Sequence, residues 1–263
     1  MVLENRETKW ALILGGSSGL GLATAQKLAS DKFNILLIHR SRRSDLEILN
    51  KKIKSITSSD VKVLSYNIDA TNSEKRNAVI SDFKEQFPQD NIKVLVHSIA
   101  KGNLKPMSST NEKTLDNQDF HITLEAMAIS LYDWTKALAK ANLFAQDTRI
   151  ISFTSEGNTR VISNYAAVSA AKVALEAITR NIALEFASFG IKANCIQAGI
   201  TETESFKMIP GSEILKENAL KRNPSGRLTQ PEDIANAVYL LCQDEAKWIT
   251  GTIIKVDGGE SLQ

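Results

Sequence analysis

The segment LILGGSSGLG, residues 12–21, runs from an apolar stretch into a glycine-rich turn and then into a helical pattern. Gly15 permits a tight turn, Gly19 lets the backbone approach a pyrophosphate, and Gly21 lets the helix pack on the strand. Free backbone amides and the positive end of the helix favour an anion, so the segment predicts a dinucleotide site. A glycine turn without a ligand is the alternative, which the flanking strand and helix disfavour. The predicted cofactor contacts here are Gly15, Ser17, Ser18, Gly19, Leu20 and Gly21.

Short apolar runs alternate with longer amphipathic ones from one end of the chain to the other. This alternation predicts an α/β fold, a doubly wound seven-stranded parallel sheet of Rossmann type with helices on both faces. Because there is neither an internal repeat nor a linker-like stretch, a single domain over residues 1–263 is expected. Strands are predicted at 10–14, 34–39, 61–67, 93–97, 149–153, 192–197 and 252–256. Helices are predicted at 18–31, 44–55, 72–87, 115–142, 164–189, 212–222 and 231–242.

The charge balance is close to neutral, with 32 basic and 30 acidic side chains and a net charge of +2. So small an excess argues against nucleic acid or a membrane surface as a partner. The polar start of the chain and the lack of a long apolar run predict no membrane span, and a cytoplasmic location is expected. Cys195 and Cys242 stand in apolar stretches without metal-ligand or CxxC spacing, which predicts buried free thiols and no metal site.

The second predicted strand ends without the acid that usually grips the ribose of NAD. Four basic side chains stand there instead, His39, Arg40, Arg42 and Arg43. Guanidinium groups suit a 2′-phosphate, so NADPH is favoured over NADH, with Arg40 and Arg42 as its contacts. A solvated basic loop is the alternative. Asp69, just past the third predicted strand, is expected either to accept a hydrogen bond from the adenine amino group or to cap the helix from Thr71 onward.

The segment SNYAAVSAAKVALEAITR contains Tyr165 and Lys172 separated by six residues. Seven positions are about two helical turns, which places both side chains on one face with Cα atoms roughly 10 Å apart. A dinucleotide ribose fits between them, and a nearby lysine helps the phenol act as an acid or a hydrogen-bond donor toward a carbonyl oxygen. Taken alone, the pair is more readily explained as a surface tyrosine and lysine on an alanine-rich helix.

Two irregular stretches follow predicted strands at 98–114 and 198–212, and the second continues through a helix to residue 222. In open α/β sheets ligands bind beyond the carboxyl ends of the strands, so both stretches are candidate substrate loops. Their apolar side chains line an acyl tunnel or simply pack the loops. The candidates are Leu104, Met107, Phe206, Met208 and Ile209.

The glycine pattern, the pair Tyr165 and Lys172, the ending ITGTIIKVDGG and the segment NPSGRLTQPEDIA resemble the short-chain dehydrogenase/reductase family over essentially the whole chain. Most members of that family have three residues between the tyrosine and the lysine, where this chain has Ser169. Six intervening residues, and the segment VHSIA at 96–100, are similar to the enoyl-acyl-carrier-protein reductases of bacterial fatty-acid synthesis. The resemblance is nearest to their NADPH-linked third class.

This resemblance implies roles for further residues. Tyr165, Lys172 and a serine partner carry the chemistry, and the partner is Ser155 or Thr154. The helix asparagine of many relatives is replaced near Thr123. Further cofactor contacts are expected at Ser98, Ile99, Ala100, Gly199, Thr201 and Thr203. The last two lie near the nicotinamide carboxamide and the pyrophosphate by resemblance, and they can also cap a helix from Glu204 onward.

The expected reaction is the NADPH-dependent reduction of a trans-2-enoyl thioester carried by acyl carrier protein or coenzyme A. Tyr165 is expected to hydrogen-bond the thioester oxygen, while Lys172 holds the nicotinamide ribose. The alternatives are a short-chain reductase acting on a ketone or a dienoyl-coenzyme A, and a non-catalytic NADP-binding regulator. A homotetramer is expected by resemblance. Basic side chains that are candidates for docking the acidic carrier, or else solvated charges, are Lys101, Lys105, Lys207, Lys216, Lys221 and Arg222.

Overall fold

Seven parallel strands form one sheet in the order β3-β2-β1-β4-β5-β6-β7. The computed structural model describes residues 8–57 and 61–263. Residues 1–7, most of the polar start of the chain, lie outside the described residues. The predicted doubly wound sheet is confirmed. Its strands are β1 (Lys9–Leu14), β2 (Asn34–His39), β3 (Val63–Asn67), β4 (Asn91–His97), β5 (Phe144–Ser155), β6 (Ile191–Ala198) and β7 (Ile253–Val256).

Helices cover both faces of this sheet. In the described residues the α-helices are α1 (Gly19–Ser30), α2 (Leu46–Thr57), α3 (Ser73–Gln86), α4 (Asn117–Leu124), α5 (Ser130–Lys140), α6 (Ala166–Glu185), α7 (Glu204–Lys207), α8 (Ser212–Arg222) and α9 (Pro231–Leu241). Alternate side chains of β1 point to opposite faces. Ala11 and Ile13 join a core with α1, α2 and α9. Trp10, Leu12 and Leu14 join the other core with α3, α5 and α6, so the strand is buried on both sides.

The predicted helix 115–142 is interrupted. Glu125–Ile129, between α4 and α5, form a π-helical turn. Ala126 and Met127 of this turn pack with Val168 of α6 in a small separate apolar cluster. The π-helical turn thus makes the face that packs against α6 irregular. Turns of this kind are frequent at functional sites.

Two further differences concern helix ends. The predicted helix 164–189 begins only at Ala166, because Asn164 takes a left-handed conformation with φ of 62°. Within the stretch predicted to be irregular, α7 forms a short helix whose N-cap is Thr203, and the Thr203 side chain accepts a hydrogen bond from the amide of Phe206. The predicted capping role of Thr203 is therefore observed.

The order of the strands reverses between β1 and β4, since the chain runs outward from β1 to β3 and then returns to β4. Loops leaving adjacent strands diverge at such a point and open a crevice beyond the carboxyl ends. Cys195 and Cys242 are buried free thiols, as predicted. Within the described ranges, no helix is both long and apolar enough to traverse a bilayer.

Candidate active site

A cavity of about 900 Å³ opens at the carboxyl ends of the strands, at and around the reversal point. The structure brings together at this cavity every predicted catalytic and cofactor-binding residue except Gly21. The predicted residues that line it are Gly15, Ser17, Ser18, Gly19, Leu20, Arg40, Arg42, Asp69, Ser98, Ile99, Ala100, Ser155, Tyr165, Lys172, Gly199, Thr201 and Thr203.

The glycine turn is held by close backbone contacts. Gly15 has a φ of 85°, and a Cβ there would collide with the Ser98 carbonyl oxygen at the end of β4. Gly21 is buried, and its Cβ would collide with the Gly15 carbonyl oxygen, so Gly21 packs α1 under the turn and lines no part of the cavity. Gly19 lies against Thr203, since a Cβ on Gly19 would stand 3.2 Å from the Thr203 methyl carbon. The turn therefore needs glycine for steric reasons.

The start of α1 suits an anion. Its first turn has no acidic side chain, and its N-cap Ser18 forms no side-chain capping bond. The amides at the start of a helix lack partners within the helix and carry a partial positive charge. A glycine-rich turn with free backbone amides, at the N-terminus of a helix, fits the pyrophosphate of a dinucleotide.

Asp69 joins two basic side chains at the rim of this end of the cavity. Its Oδ2 lies 2.8 Å from Arg40 Nη1 and 3.4 Å from Lys101 Nζ, while Oδ1 accepts from the amide and hydroxyl of Thr71. Partial burial raises the pKa of Asp69, but the Thr71 hydrogen bonds and the Lys101 charge outweigh it and lower the pKa to about 2. The expected helix cap is wrong, because α3 is capped by Asn72. Contact with adenine stays a prediction.

Tyr165 stands at the N-cap of α6, directly after the left-handed Asn164. Burial raises the pKa of the phenol, and the adjacent Ser155 hydroxyl opposes that rise. The Ser155 Oγ is buried and has no hydrogen bond of good geometry within the described part of the chain. Thr154 instead donates its hydroxyl proton to Glu176, at 2.5 Å. Of the two expected partners, Ser155 is thus the one that faces the phenol.

Gly157 makes room for the tyrosine ring. A Cβ on Gly157 would stand 2.6 Å from Tyr165 Cε1, closer than carbon atoms approach without a shift. The glycine lies in the 3₁₀ turn Glu156–Asn158 that follows β5. Sequence reasoning missed this residue, and the only available signal was a glycine just after a predicted strand end.

Lys172 is buried under the cavity. Its Nζ donates a hydrogen bond to the Phe153 carbonyl oxygen at 2.6 Å, and its residue is 8% exposed. Burial lowers the pKa of Lys172 to about 8, while Cys195 and Glu176 act in the opposite direction. A lysine in this environment changes its charge close to physiological pH, unlike a lysine at the surface.

His97, at the end of β4, is buried beside this lysine. Its Nε2 lies 2.8 Å from Ser130 Oγ, whose proton goes to the Ala126 carbonyl oxygen, so Nε2 is the donor. Burial, followed by the Lys172 charge, lowers the pKa of His97 to about 3, and the ring is neutral. Its Nδ1 has no hydrogen-bond partner among the described residues.

The loop 98–114 is fastened to the helices beneath it. Asn103 donates its amide proton to Thr123 Oγ1 at 3.1 Å, and Thr123 is fully buried. Gly102 touches Val168 and Met127 so closely that a Cβ would clash with the Val168 side chain. Thr123, near the position where many relatives carry an asparagine, therefore anchors the loop 98–114.

The apolar loop residues divide into two groups. Leu104, Phe206, Met208 and Ile209 line the cavity, as predicted, whereas Met107 does not and is 70% exposed. Five of the six expected docking cations have carboxylate partners: Lys101 with Asp69, Lys105 with Asp119, Lys207 with Glu204, Lys216 with Glu202, and Arg222 with Glu156 and Glu260. Arg222 is largely buried between its two partners, so its role is structural. Lys221 has no ion pair with a described residue.

The glycine turn, the crevice at the reversal point of the sheet, and the pair of Tyr165 and buried Lys172 together define the class, a dinucleotide-dependent oxidoreductase. A sequence model of the family described as "Enoyl-(Acyl carrier protein) reductase" matches residues 15–261. The chain therefore belongs to this family, which falls within the short-chain dehydrogenases/reductases, whose members use nicotinamide cofactors.

Relatives with known names carry two different activities. The 3-oxoacyl-[acyl-carrier-protein] reductase of Escherichia coli (strain K12) is 28% identical over 255 residues, which cover 97% of this chain and 98% of that protein. The enoyl-[acyl-carrier-protein] reductase (NADH) of Aquifex aeolicus is 24% identical, with a TM-score of 0.81 and 98% of each chain covered. A short-chain dehydrogenase of Burkholderia cenocepacia in complex with NADP is 24% identical, with a TM-score of 0.82, covering 98% of this chain and 100% of that one. The two structural likenesses describe a common fold.

Proposed function

We propose that the protein reduces the carbon–carbon double bond of a trans-2-enoyl thioester with NADPH. The observation that carries this proposal is the spacing of the pair at the cavity. Lys172, two helical turns beyond Tyr165, is the α6 lysine that lines the cavity, and position 169, one turn beyond, holds Ser169 outside its lining. That spacing is similar to the spacing in enoyl reductases.

The residues of the cavity fit the cofactor. The turn from Gly15 to Leu20 would hold the pyrophosphate, Arg40 and Arg42 the 2′-phosphate, and Gly199, Thr201 and Thr203 the nicotinamide side. When bound, NADPH would supply the hydride that goes to the β-carbon of the substrate, and a proton from solvent water would complete the reduction at the α-carbon.

The protein's own residues act on the thioester oxygen. We assign Tyr165 to donate a hydrogen bond to that oxygen as negative charge builds there, with Ser155 as its neighbour. The buried ammonium of Lys172 favours the same charge, and burial strengthens the effect because few water molecules screen it. Leu104, Phe206 and Ile209 supply an apolar wall for an acyl chain.

A direct test compares two substrates. Crotonyl-coenzyme A and acetoacetyl-coenzyme A are incubated separately with NADPH and with NADH, and loss of the reduced nicotinamide absorbance is followed. We expect consumption with crotonyl-coenzyme A and NADPH. Consumption with acetoacetyl-coenzyme A alone would refute the enoyl proposal.

Tyr165→Phe tests the assigned hydrogen-bond donor in the same assay. We expect kcat to fall about 100-fold or more, because the hydrogen bond to the developing charge is lost. The Kd for NADPH, measured by fluorescence titration, should stay within about twofold. Unchanged turnover in Tyr165→Phe would refute its assignment.

The second candidate function is reduction of a 3-oxoacyl thioester. The observation in its favour is the name of the Escherichia coli relative, which matches almost the whole chain. A tyrosine that donates to a thioester oxygen can equally donate to a ketone oxygen, so the substrate comparison decides between the two. A carrier-protein substrate, a homotetramer and a cytoplasmic location stay predictions, and sizing with and without NADPH tests the second.

A further inference from the structure

Glu176 is a buried acid that the proposed reaction does not use. It lies on α6 one helical turn beyond Lys172 and is only 7% exposed. Burying a carboxylate is costly unless hydrogen bonds or an opposite charge compensate. The hydrogen-bond partners of the Glu176 carboxylate therefore show which parts of the site it holds in place.

Two side chains donate to the same oxygen of this carboxylate. Thr154 Oγ1 and Asn158 Nδ2 each lie 2.5 Å from Glu176 Oε1. Thr154 is on β5, and Asn158 ends the turn that follows it. The segment between these two donors contains Ser155 and Gly157, which contact Tyr165. Glu176 thus fastens both ends of the segment 154–158, which contacts the phenol of Tyr165, to α6, the helix that begins directly after Tyr165.

The charge of Glu176 also acts on the ammonium of Lys172. Besides Glu176, the groups that act on the ammonium are the Phe153 carbonyl oxygen on β5, Cys195 on β6 and His97 on β4, while Tyr165 and Ser155 line the same cavity. Burial raises the pKa of the tyrosine and the cysteine, and it lowers the pKa of His97 to about 3, so all three are uncharged at neutral pH. Cys195 would favour the ammonium only as a thiolate, and burial raises the pKa of that thiol, so Glu176 is the acid among these described groups that favours the ammonium at neutral pH.

We propose that Glu176 is a positioning residue of the active site, which clamps the segment 154–158 against α6 and supplies a buried carboxylate one helical turn from Lys172. The inference rests on the proposed function only in that Tyr165 and Lys172 act in turnover, so it applies equally to enoyl and ketoacyl reduction. A chain that turned over neither thioester would contradict the proposed function, whereas the inference is tested by how a working enzyme responds to pH.

The test is the pH profile of kcat/KM for Glu176→Gln, with whichever thioester the wild type consumes. Glutamine keeps the size and one acceptor oxygen but removes the charge. Without that charge, the pKa of Lys172 should fall by about one unit or more from its value of about 8. Activity requires the protonated amine, so the loss of activity should move to lower pH. We expect a drop of about fivefold at pH 8 and activity near wild type at pH 6.

Three further variants separate the two parts of the role. Glu185→Gln removes an exposed carboxylate from the end of the same helix and should leave the profile unchanged. Glu176→Asp keeps the charge but shortens the clamp, and Asn158→Ala removes one donor. Both should lower kcat without moving the basic limb, and they keep the test open if Glu176→Gln does not fold. A well-folded Glu176→Gln with the basic limb of the wild type would overturn the inference.

The affinity for NADPH gives a second measurement. Because Lys172 is expected to hold the nicotinamide ribose, the Kd for NADPH should weaken above the same pH as the activity. We expect this limb also to shift to lower pH in Glu176→Gln. An equal loss of activity at every pH, with no shift in either limb, would mean a purely structural role and contradict the proposal.

Discussion

The two ends of the cavity differ in what lines them, mainly backbone at one end and buried side chains at the other. The nucleotide end comprises the turn from Gly15 to Gly21 with Arg40, Arg42 and Asp69. It presents mainly backbone atoms, with charged side chains at its rim. The reaction end, which comprises Ser155, Tyr165 and Lys172 with His97 and Glu176 beneath them, is made of side chains that are mostly buried.

This difference predicts opposite sensitivities. Charges in water are screened and weakly coupled, so the rim of the nucleotide end should tolerate changes of charge, while its glycines should tolerate no added atom. Buried ionisable groups interact strongly because water does not screen them. The reaction end should therefore respond to pH and to loss of charge, to which the rim of the nucleotide end should be tolerant.

Gly15→Ala should give the largest effect. The new Cβ meets the Ser98 carbonyl oxygen, and the φ of 85° disfavours any side chain. We expect a loss of about 3 kcal/mol or more in the free energy of unfolding, measured by urea denaturation, together with weaker NADPH binding.

Gly211→Ala is the matched control for this substitution. Gly211 has a similar φ of 76°, but a Cβ there would meet nothing within 4 Å. Only conformational strain remains, so about 1–2 kcal/mol is expected. Equal losses in both variants would show that the collision with Ser98 contributes nothing, and the steric account of the nucleotide end would fail.

Lowering the pH should reduce the stability of the fold through the protonation of His97 at the reaction end. Its pKa is about 3 in the folded protein and near 6.5 when unfolded, so the unfolded chain binds more protons between these values. Stability is then lost as the pH falls below 6.5. At pH 4.5 the loss from this residue should be about 2–3 kcal/mol relative to pH 7.

His97→Gln removes this titration. We expect the free energy of unfolding to fall less steeply between pH 6.5 and 4.5 than in the wild type, whatever its value at pH 7. His121→Gln, on the exposed side of α4, is the control and should retain the wild-type slope. If both variants follow the wild-type curve, burial of His97 does not govern acid stability.

The nucleotide end was predictable from sequence because its requirements are local. The conformation of Gly15 and the packing role of Gly21 follow from positions within one turn, and the observed geometry agrees with both. The sheet was predictable for the same reason, since doubly buried strands are short apolar runs. β5 was predicted too short, at 149–153, because its first residues include the polar Gln146 and Asp147, which interrupt the apolar run.

The reaction end was only partly predictable because its partners are distant in sequence. Tyr165 and Lys172 share one helix and were found by spacing. Glu176 lies in the same pattern, but its burial depends on Thr154 and Asn158, from a segment about twenty positions away. Residues that are joined only by the folded chain leave no periodic signal, so neither this clamp nor the fit of Gly157 against Tyr165 could be foreseen.

The smallest effect is expected from the charges at the rim, where the comparison predicts tolerance. Arg42 lines the cavity without an ion pair to any described residue, while the neighbouring Arg43 does not line it. Arg42→Ala should raise the KM for NADPH about tenfold, the equivalent of about 1.4 kcal/mol, because one charge-assisted bond to the 2′-phosphate is lost. Arg43→Ala should change it less than about threefold, and neither should alter the KM for NADH. Added salt should shrink the effect of Arg42→Ala, since screening weakens exposed charges. An equal rise for NADH would place Arg42 away from the 2′-phosphate.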